Sequence, residues 1–337
     1  MIRVGVVGAN GFLGGEVVRL LHRHPFFQIS TLASGSHTDM PIGEVRASLV
    51  GLDHQLEQYK EEHFVDRCDA VVLALPHGKS REIGISLAQR GIRVVDLGSD
   101  FRLNDDGDYQ RWYGRELSAS TDGLNVRYCL PEVCGGPDED TQVVANPGCF
   151  ATAITLALAP LVGSFKKGAS VPIFGVTGSS GSGRTPTETV HHSLRTTNFV
   201  AYKPLTHQHL GEVQQTLSSL GDVPTLDFIP HSAPLARGIH LTMRIKHVDL
   251  DADIFAAMQR YYADAQLVHV FDRPVQLGAV IGSCSTHIGV VSHGGRSIVT
   301  VAIDNLLKGG SGQAVQNLNI WFGRSPIEGL PVLGVWP

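Results

Sequence analysis

The chain has 337 residues, 42% of them hydrophobic and 18% charged, enough for two domains with a substantial core. Its formal net charge of −5 gives no basic field for nucleic acid or an anionic membrane, and no apolar run approaches a membrane span. Five cysteines, an odd number without a CxxC pair, suit a reducing cytoplasm better than a disulfide framework, and no signal-peptide pattern precedes the first strand.

Residues 2–7 form a short apolar run predicted as a strand. Gly8-Ala9-Asn10-Gly11-Phe12-Leu13-Gly14 follows at once, and a helix is predicted over about 15–23 with Val17, Val18, Leu20 and Leu21 inward. Strand, glycine turn and helix make the start of a Rossmann unit. There the backbone approaches a pyrophosphate closely, and the helix N-terminus favours its charge. The spacing is GxxGxxG rather than GxGxxG, so the flanking strand and helix give the motif its weight. A second strand, 28–33, ends in Ser34-Gly35-Ser36-His37. An NAD-preferring unit places an acidic residue here for the ribose 2′-OH. None is present, and Ser34, Ser36 and His37 tolerate a 2′-phosphate, so NADPH is favoured over NADH although no arginine stands at the strand end.

Residues 70–75 are a continuous apolar run, as in a buried parallel strand, and stop at Pro76-His77-Gly78. A helix over 80–89 and a strand over 93–97 follow, the latter ending at Ser99-Asp100-Phe101-Arg102. Alternating strands and helices predict a doubly wound α/β sheet with ligands at the strands' carboxyl ends. His77 is expected in a loop near the cofactor, and Arg102 beside a phosphate or carboxylate. Residues 104–140 are weakly patterned and read as connection and surface. A strand over 142–145 then enters Asn146-Pro147-Gly148-Cys149. Pro147 and Gly148 predict a tight turn, and a helical pattern runs from Cys149 through Ile154, Leu156, Leu158 and Leu161. A thiol at a helix N-terminus is expected to have a lowered pKa, and its thiolate is the nucleophilic form. The alternative is a buried structural cysteine.

In the second half a strand over 171–176 precedes Thr177-Gly178-Ser179-Ser180-Gly181-Ser182-Gly183-Arg184, a flexible linker or an anion or cofactor cradle; its position and terminal arginine favour the cradle. His191-His192 and His207-Gln208-His209 raise the question of metal, since His-x-His on a strand aims both rings to one face. No third ligand has convincing spacing, so no metal is expected, and one of these histidines is expected to exchange protons at the nucleophile. Glu212 begins a helix running to about 220 and is expected to orient a histidine or bind a substrate amine. Residues 239–245 alternate with period two, an antiparallel strand that with 225–229 and 297–303 makes a separate sheet. Arg237 precedes it as a second candidate anion-binding arginine. The tail holds Asp304-Asn305 and a helix over 313–321. The organisation expected is a Rossmann dinucleotide-binding domain from 1–147 and 306–337, and an α+β substrate and dimerisation domain from 148–305.

This order of parts resembles the aspartate-semialdehyde dehydrogenase superfamily, and within it the N-acetyl-γ-glutamyl-phosphate reductase family of arginine biosynthesis, over nearly the whole chain. Asn146-Pro147-Gly148-Cys149 is similar to the family's nucleophile motif, residues 8–14 to its glycine loop, and His207-Gln208-His209 with Glu212 to its histidine segment. Residues 234–239 resemble its arginine loop and 304–319 its closing segment. The resemblance implies cofactor contacts from Gly8, Asn10, Gly11, Phe12, Leu13 and Gly14, from Ser34 and Ser36, from Pro76, His77 and Gly78, and from Ser179, Gly181 and Asn305. It implies Cys149 as nucleophile and His209 as acid/base, with Arg102, Asn146, His207, Glu212 and Arg237 near substrate.

The activity implied is NADPH-dependent reduction of N-acetyl-γ-glutamyl phosphate to the semialdehyde through a Cys149 thioester, with release of inorganic phosphate, in a cytoplasmic homodimer or homotetramer. Two departures stand out. Gln208 replaces the arginine of the family's HRH segment. Residues 180–186, His191-His192 and 201–204 look more like sister reductases that act on amino-acid phosphates linked to a small acidic carrier protein, in lysine or arginine synthesis. Rival readings are a cysteine hydrolase or acyltransferase, a dehydrogenase without a covalent step, and a dinucleotide sensor.

Overall fold

The computed structural model describes residues 1–246 and 253–335. They divide into two compact units, Met1–Pro147 with Gly310–Leu330, and Gly148–Gly309 with the tail from Pro331. The return to the first unit therefore comes at Gly310 rather than at 306, and the tail expected in that unit belongs to the second. There Val335 donates its N–H to the Ile281 carbonyl and Cys284 to that of Pro331, bonds that tie the tail to its own unit.

In the first unit eight strands form one sheet: β1 Ile2–Val7, β2 Phe27–Ala33, β3 Met40–Pro41, β4 Gln55–Glu57, β5 Ala70–Leu73, β6 Arg93–Asp96, β7 Val126–Tyr128 and β8 Val143–Ala145. Their order is β3-β4-β2-β1-β5-β6-β8-β7, parallel throughout except where β3 meets β4. The order reverses between β1 and β5, the place where such sheets bind ligands. The helices are α1 Phe12–His22, α2 Ile42–Val45, α3 Glu61–Arg67, α4 Arg81–Gln89, α5 Asp106–Tyr113 and α6 Pro131–Cys134. All of β5 and β8 is buried, which explains their continuous apolar sequence. Val71, Leu73 and Val94 pack with Phe64 of α3 and with Ile85, Leu87 and Ala88 of α4 in one core cluster.

Two expectations change here. The first helix starts at Phe12, not near 15, because Gly11 in extended conformation (φ −70, ψ 172) already serves as its N-cap. Phe12, Leu13 and Gly14 thus lie in the first turn of α1, not in an open loop. Residues 104–140 also contribute more than connection: β7 extends the sheet beside β8, and α5 forms between an Asp105 side-chain cap on Asp108 N–H and Gly114 at φ 66.

The second unit holds β9 Ser170–Thr177, β10 Val200–Ala201, β11 Thr225–Ser232, β12 Ile239–Ile245, β13 Val268–Phe271, β14 Thr286–His293 and β15 Arg296–Ile303, in the order β10-β11-β9-β12-β15-β14-β13. Its helices are α7 Cys149–Leu158, α8 His192–Arg195, α9 His209–Ser218 and α10 Ile254–Tyr261. As the period-two pattern predicts, β12 is antiparallel to both neighbours and buries Ile239, Leu241, Met243 and Ile245 on one face. That face packs against α7. The opposite face carries Phe174, Val291 and Ile298 at 49%, 39% and 38% exposure, on adjacent strands in register through Thr242, Arg244 and Thr300.

After β15 a π-turn over Leu307–Ser311 leads into α11 Gly312–Trp321, which packs against α1 and β6 of the first unit. Among the described residues no helix is long and apolar enough to cross a membrane.

Candidate active site

Cys149 is the first residue of α7. Every residue after it in the helix is buried, whereas Cys149 itself is half-buried. Gly148 caps the helix in extended conformation (φ −70, ψ 151), without a side-chain hydrogen bond and without an acidic residue in the first turn. An α-helix leaves its first N–H groups without intrahelical partners, and its dipole adds positive potential there. The thiol thus stands at a polar opening in an otherwise apolar helix.

The Gly148 N–H is taken by Glu212, whose Oε2 accepts it at 2.8 Å. Glu212 is fully buried, and its Oε1 lies 3.9 Å from His209 Nε2. One carboxylate therefore holds the residue before the nucleophile and faces the candidate acid/base. This is possible because His209 opens α9, so residues 209 and 212 share one helical face. The geometry differs from the strand considered for His207-Gln208-His209, and no shared face of two free rings results. Instead His207 Nδ1 accepts the His209 N–H at 3.2 Å, at the first residue of α9. Burial, with the nearby His209 a smaller cause, pushes the His207 pKa down to about 2. Its ring packs at 5.4 Å from Phe150 and 5.5 Å from Phe228. The imidazole is neutral, and since Nδ1 accepts, its proton is assigned to Nε2. His207, expected beside substrate, bonds the first residue of α9, and Glu212, expected to orient a histidine or bind a substrate amine, faces His209 and holds the cysteine turn. Gln208 accepts from the Lys203 ammonium at 3.1 Å, so a cation stands beside the residue that replaces the family's arginine.

The Ser179 loop and the Arg237 loop are bonded to each other. Gly178, Ser179 and Ser180 donate N–H bonds to the carbonyls of Gly238, Leu235 and Ala236. Asn305 joins them: its Oδ1 accepts the Gly238 N–H at 2.6 Å and its Nδ2 donates to Ser180 Oγ at 3.1 Å. Buried Asp304 accepts from Arg237 Nε at 2.6 Å and from Gly282 N–H at 2.8 Å. Arg195 of α8, also buried, donates to Ser232 Oγ and to the carbonyls of Ala233 and Leu235, clamping the strand end that leads to Arg237. The π-turn reaches the nucleophile itself, since a Cβ on Gly309 would lie 2.7 Å from that of Cys149. Asp304 and Arg195 were not expected in these roles. Asp304 stood in the tail pattern as a bare carboxylate, and Arg195 carries no local signal, because its acceptors lie 18 to 40 residues away.

In the first unit Gly8 has φ +87, and a Cβ there would fall 2.3 Å from the Ala74 carbonyl oxygen. A Cβ on Gly14 would fall 2.2 Å from that of Gly8. Only glycine fits this loop, which meets an α1 N-terminus with no side-chain cap and no acidic residue in its first turn. Such a cradle suits a pyrophosphate. Asn10 reaches from it to the end of β2, with Nδ2 at 3.4 Å from Ser36 Oγ and 3.3 Å from His37 Nδ1, and Ser34 Oγ accepts the Ser36 N–H. These residues fit a dinucleotide. At the end of β5, the turn at Pro76, His77 and Gly78 is fixed by Asp100, which accepts the N–H groups of Gly78, Ser80 and Arg81. Asp100 was passed over in favour of its neighbour Arg102.

Arg102 and Asn146, expected near substrate, are both buried. Arg102 is buried, with Nε on the Asn146 carbonyl and Nη2 on the Leu97 carbonyl, both at 2.9 Å. Asn146 is fully buried and accepts from Asn317 Nδ2 at 3.2 Å. Beside them burial and Asp100 push the Asp96 carboxyl up to about 7. Among the described residues no group of three or more His, Cys, Asp or Glu side chains is arranged to hold a metal.

Comparison with known proteins agrees with this division of parts. Residues 3–139 match the semialdehyde dehydrogenase NAD binding domain, and residues 149–305 the semialdehyde dehydrogenase dimerisation domain. Among solved structures, aspartate semialdehyde dehydrogenase II from Vibrio cholerae, complexed with ASA, covers 96% of this chain and 98% of its own at TM-score 0.73 and 16% identity, which establishes the shared fold. Sequence relatives are nearer. N-acetyl-gamma-glutamyl-phosphate reductases of Thermoanaerobacter sp. and Methanopyrus kandleri are each 37% identical with both chains fully covered, and that of Acidothermus cellulolyticus is 39% identical over 99% of each. With such identity running from end to end, the chain belongs to the N-acetyl-gamma-glutamyl-phosphate reductase family of semialdehyde dehydrogenases.

Proposed function

We propose that the protein reduces N-acetyl-γ-glutamyl phosphate to N-acetylglutamate semialdehyde, with NADPH as reductant and release of inorganic phosphate, as a step of arginine biosynthesis. The observation that carries this reading is Cys149 at the uncapped head of α7, its turn held by Glu212, in a chain that aligns throughout with relatives bearing that name.

The Cys149 thiolate attacks the acyl carbon, and N–H groups of the first turn of α7 stabilise the oxyanion that develops. Phosphate leaves with its bonding electron pair, its charge balanced by the quarter-exposed Arg237, and a thioester joins Cys149 to the acyl group. Gly8, Asn10, Gly11 and Gly14, with Ser34 and Ser36 at the end of β2, would hold NADPH, which would supply the hydride for the thioester carbon. His209 donates the proton to the carbonyl oxygen, then takes it back as the aldehyde departs and Cys149 regains its thiolate. Glu212 faces His209 Nε2 from 3.9 Å and keeps the Gly148 turn in place. Covalent capture suits this chemistry because it holds the acyl group in position for reduction.

A free acyl phosphate is favoured over a carrier-linked one by the names of the relatives. The exposed apolar face at Phe174, Val291 and Ile298, in the part matching a dimerisation domain, supports a homodimer, itself able to pair as a homotetramer. Five cysteine thiols fit the reducing cytoplasm.

The test is the reverse reaction. N-acetylglutamate semialdehyde, NADP⁺ and inorganic phosphate should together produce NADPH absorbance, with no signal when phosphate is withheld. NADPH formed equally well without phosphate would overturn the acyl-phosphate assignment.

A further inference from the structure

We propose that Arg46 is the residue that recognises the 2′-phosphate of NADPH. This rests on the NADPH reading above and names the side chain that sets the preference. The sequence places no arginine at the end of β2, where the ribose phosphate of a Rossmann cofactor is read. The fold supplies one from beyond α2. Arg46 caps the C-terminus of α2, and its Nη1 donates to the carbonyls of Asn10 at 3.1 Å and Gly11 at 3.0 Å. Its guanidinium lies on the first turn of α1: it stands 6.0 Å from the Phe12 ring centroid, and a Cβ on Gly15 would meet Arg46 Cζ at 2.7 Å. Gly15 therefore leaves room for a cation, beyond the three glycines of the loop itself.

The same Asn10 that receives Arg46 on its carbonyl points its side-chain amide at Ser36 Oγ and His37 Nδ1. Asn10 thus meets the guanidinium through its carbonyl, and a hydroxyl and an imidazole through its amide. Residues 34–37 contain no carboxylate that would bond a free 2′-OH. A guanidinium with a hydroxyl and an imidazole is a donor set for a phosphate monoester, and NADH lacks the group they would bind.

The experiment is a fluorescence titration of NADPH and NADH binding to wild type, Arg46→Met and Arg46→Lys, with no substrate present, and competition by 2′,5′-ADP. Arg46→Met keeps the aliphatic stem over Phe12 and removes the charge. It should weaken NADPH and 2′,5′-ADP at least about tenfold while changing NADH less than about twofold, the loss of a charged hydrogen bond to phosphate. Arg46→Lys should restore part of the NADPH preference. Parallel loss of NADPH and NADH in both variants would mean that Arg46 only props up the glycine loop, and unchanged binding would remove it from the site; either result overturns the proposal. A wild-type protein that binds NADH in preference to NADPH would instead overturn the NADPH reading on which it rests.

Discussion

Glu212 is where the residue-level account is most exposed to test. Its two oxygens serve two neighbours, the Gly148 N–H at 2.8 Å and His209 Nε2 at 3.9 Å. Glu212→Gln keeps an acceptor for Gly148 and removes the charge facing His209. The expected result is a kcat lower by about tenfold or more with KM for the acyl phosphate nearly unchanged, since acid–base help is lost and binding is not. Glu212→Ala also strands the Gly148 N–H, at a cost of about 1–3 kcal/mol of stability, measurable by thermal melting. A KM effect in Glu212→Gln as large as the kcat effect would return Glu212 to the substrate. At this scale Cys149 was legible because Pro147, Gly148 and the helix after it are adjacent in sequence. The roles of Asp304 and Arg195 were not, because each acts on loops that only the folded sheet brings close. The carbonyl partners of Arg102 were not legible either, for the same reason. A strand-end arginine has the chemistry of an anion site, but two main-chain carbonyls already use it.

Among elements, the strands that could be read were those buried from end to end or on one face. β5 and β8 are continuous apolar runs and β12 alternates strictly, and each appears where the pattern placed it. β7 escaped because Val126, Arg127 and Tyr128 are all half-buried at a sheet edge, where pairing to β8 through the backbone leaves no side-chain period. The start of α1 was misjudged by three residues because the glycines were counted as loop. Gly14 is instead a helical residue whose missing Cβ lets the first turn close on Gly8. Likewise His207-Gln208-His209 reads as extended by sequence and folds as the lead-in to α9, with Gln208 at its N-cap position and His207 Nδ1 accepting the N–H of His209, its first residue.

Across the whole molecule the chain returns to its first unit at Gly310, so α11 closes the Rossmann sheet on the side of α1 while the π-turn before it meets Cys149 within the second unit. The exposed face of the second sheet sets the prediction at this scale. Ile298 lies at 38% exposure, paired with Arg244 on one side and Val291 on the other. Ile298→Asp puts a carboxylate, which a second copy would have to bury, among the exposed side chains of this face and should convert the proposed homo-oligomer to monomer by light scattering, with circular dichroism unchanged. A variant that stays oligomeric at micromolar concentration would move the interface elsewhere.

The central claim is that Cys149 carries the acyl group as a thioester. Its most direct measurement is intact-mass and peptide-mapping spectrometry of the protein after exposure to N-acetyl-γ-glutamyl phosphate without NADPH. One N-acetylglutamyl adduct per chain on the peptide containing Cys149, discharged by NADPH and absent in Cys149→Ser, is the predicted result. Turnover at a normal rate with no adduct, or substantial activity retained by Cys149→Ser, would contradict the account.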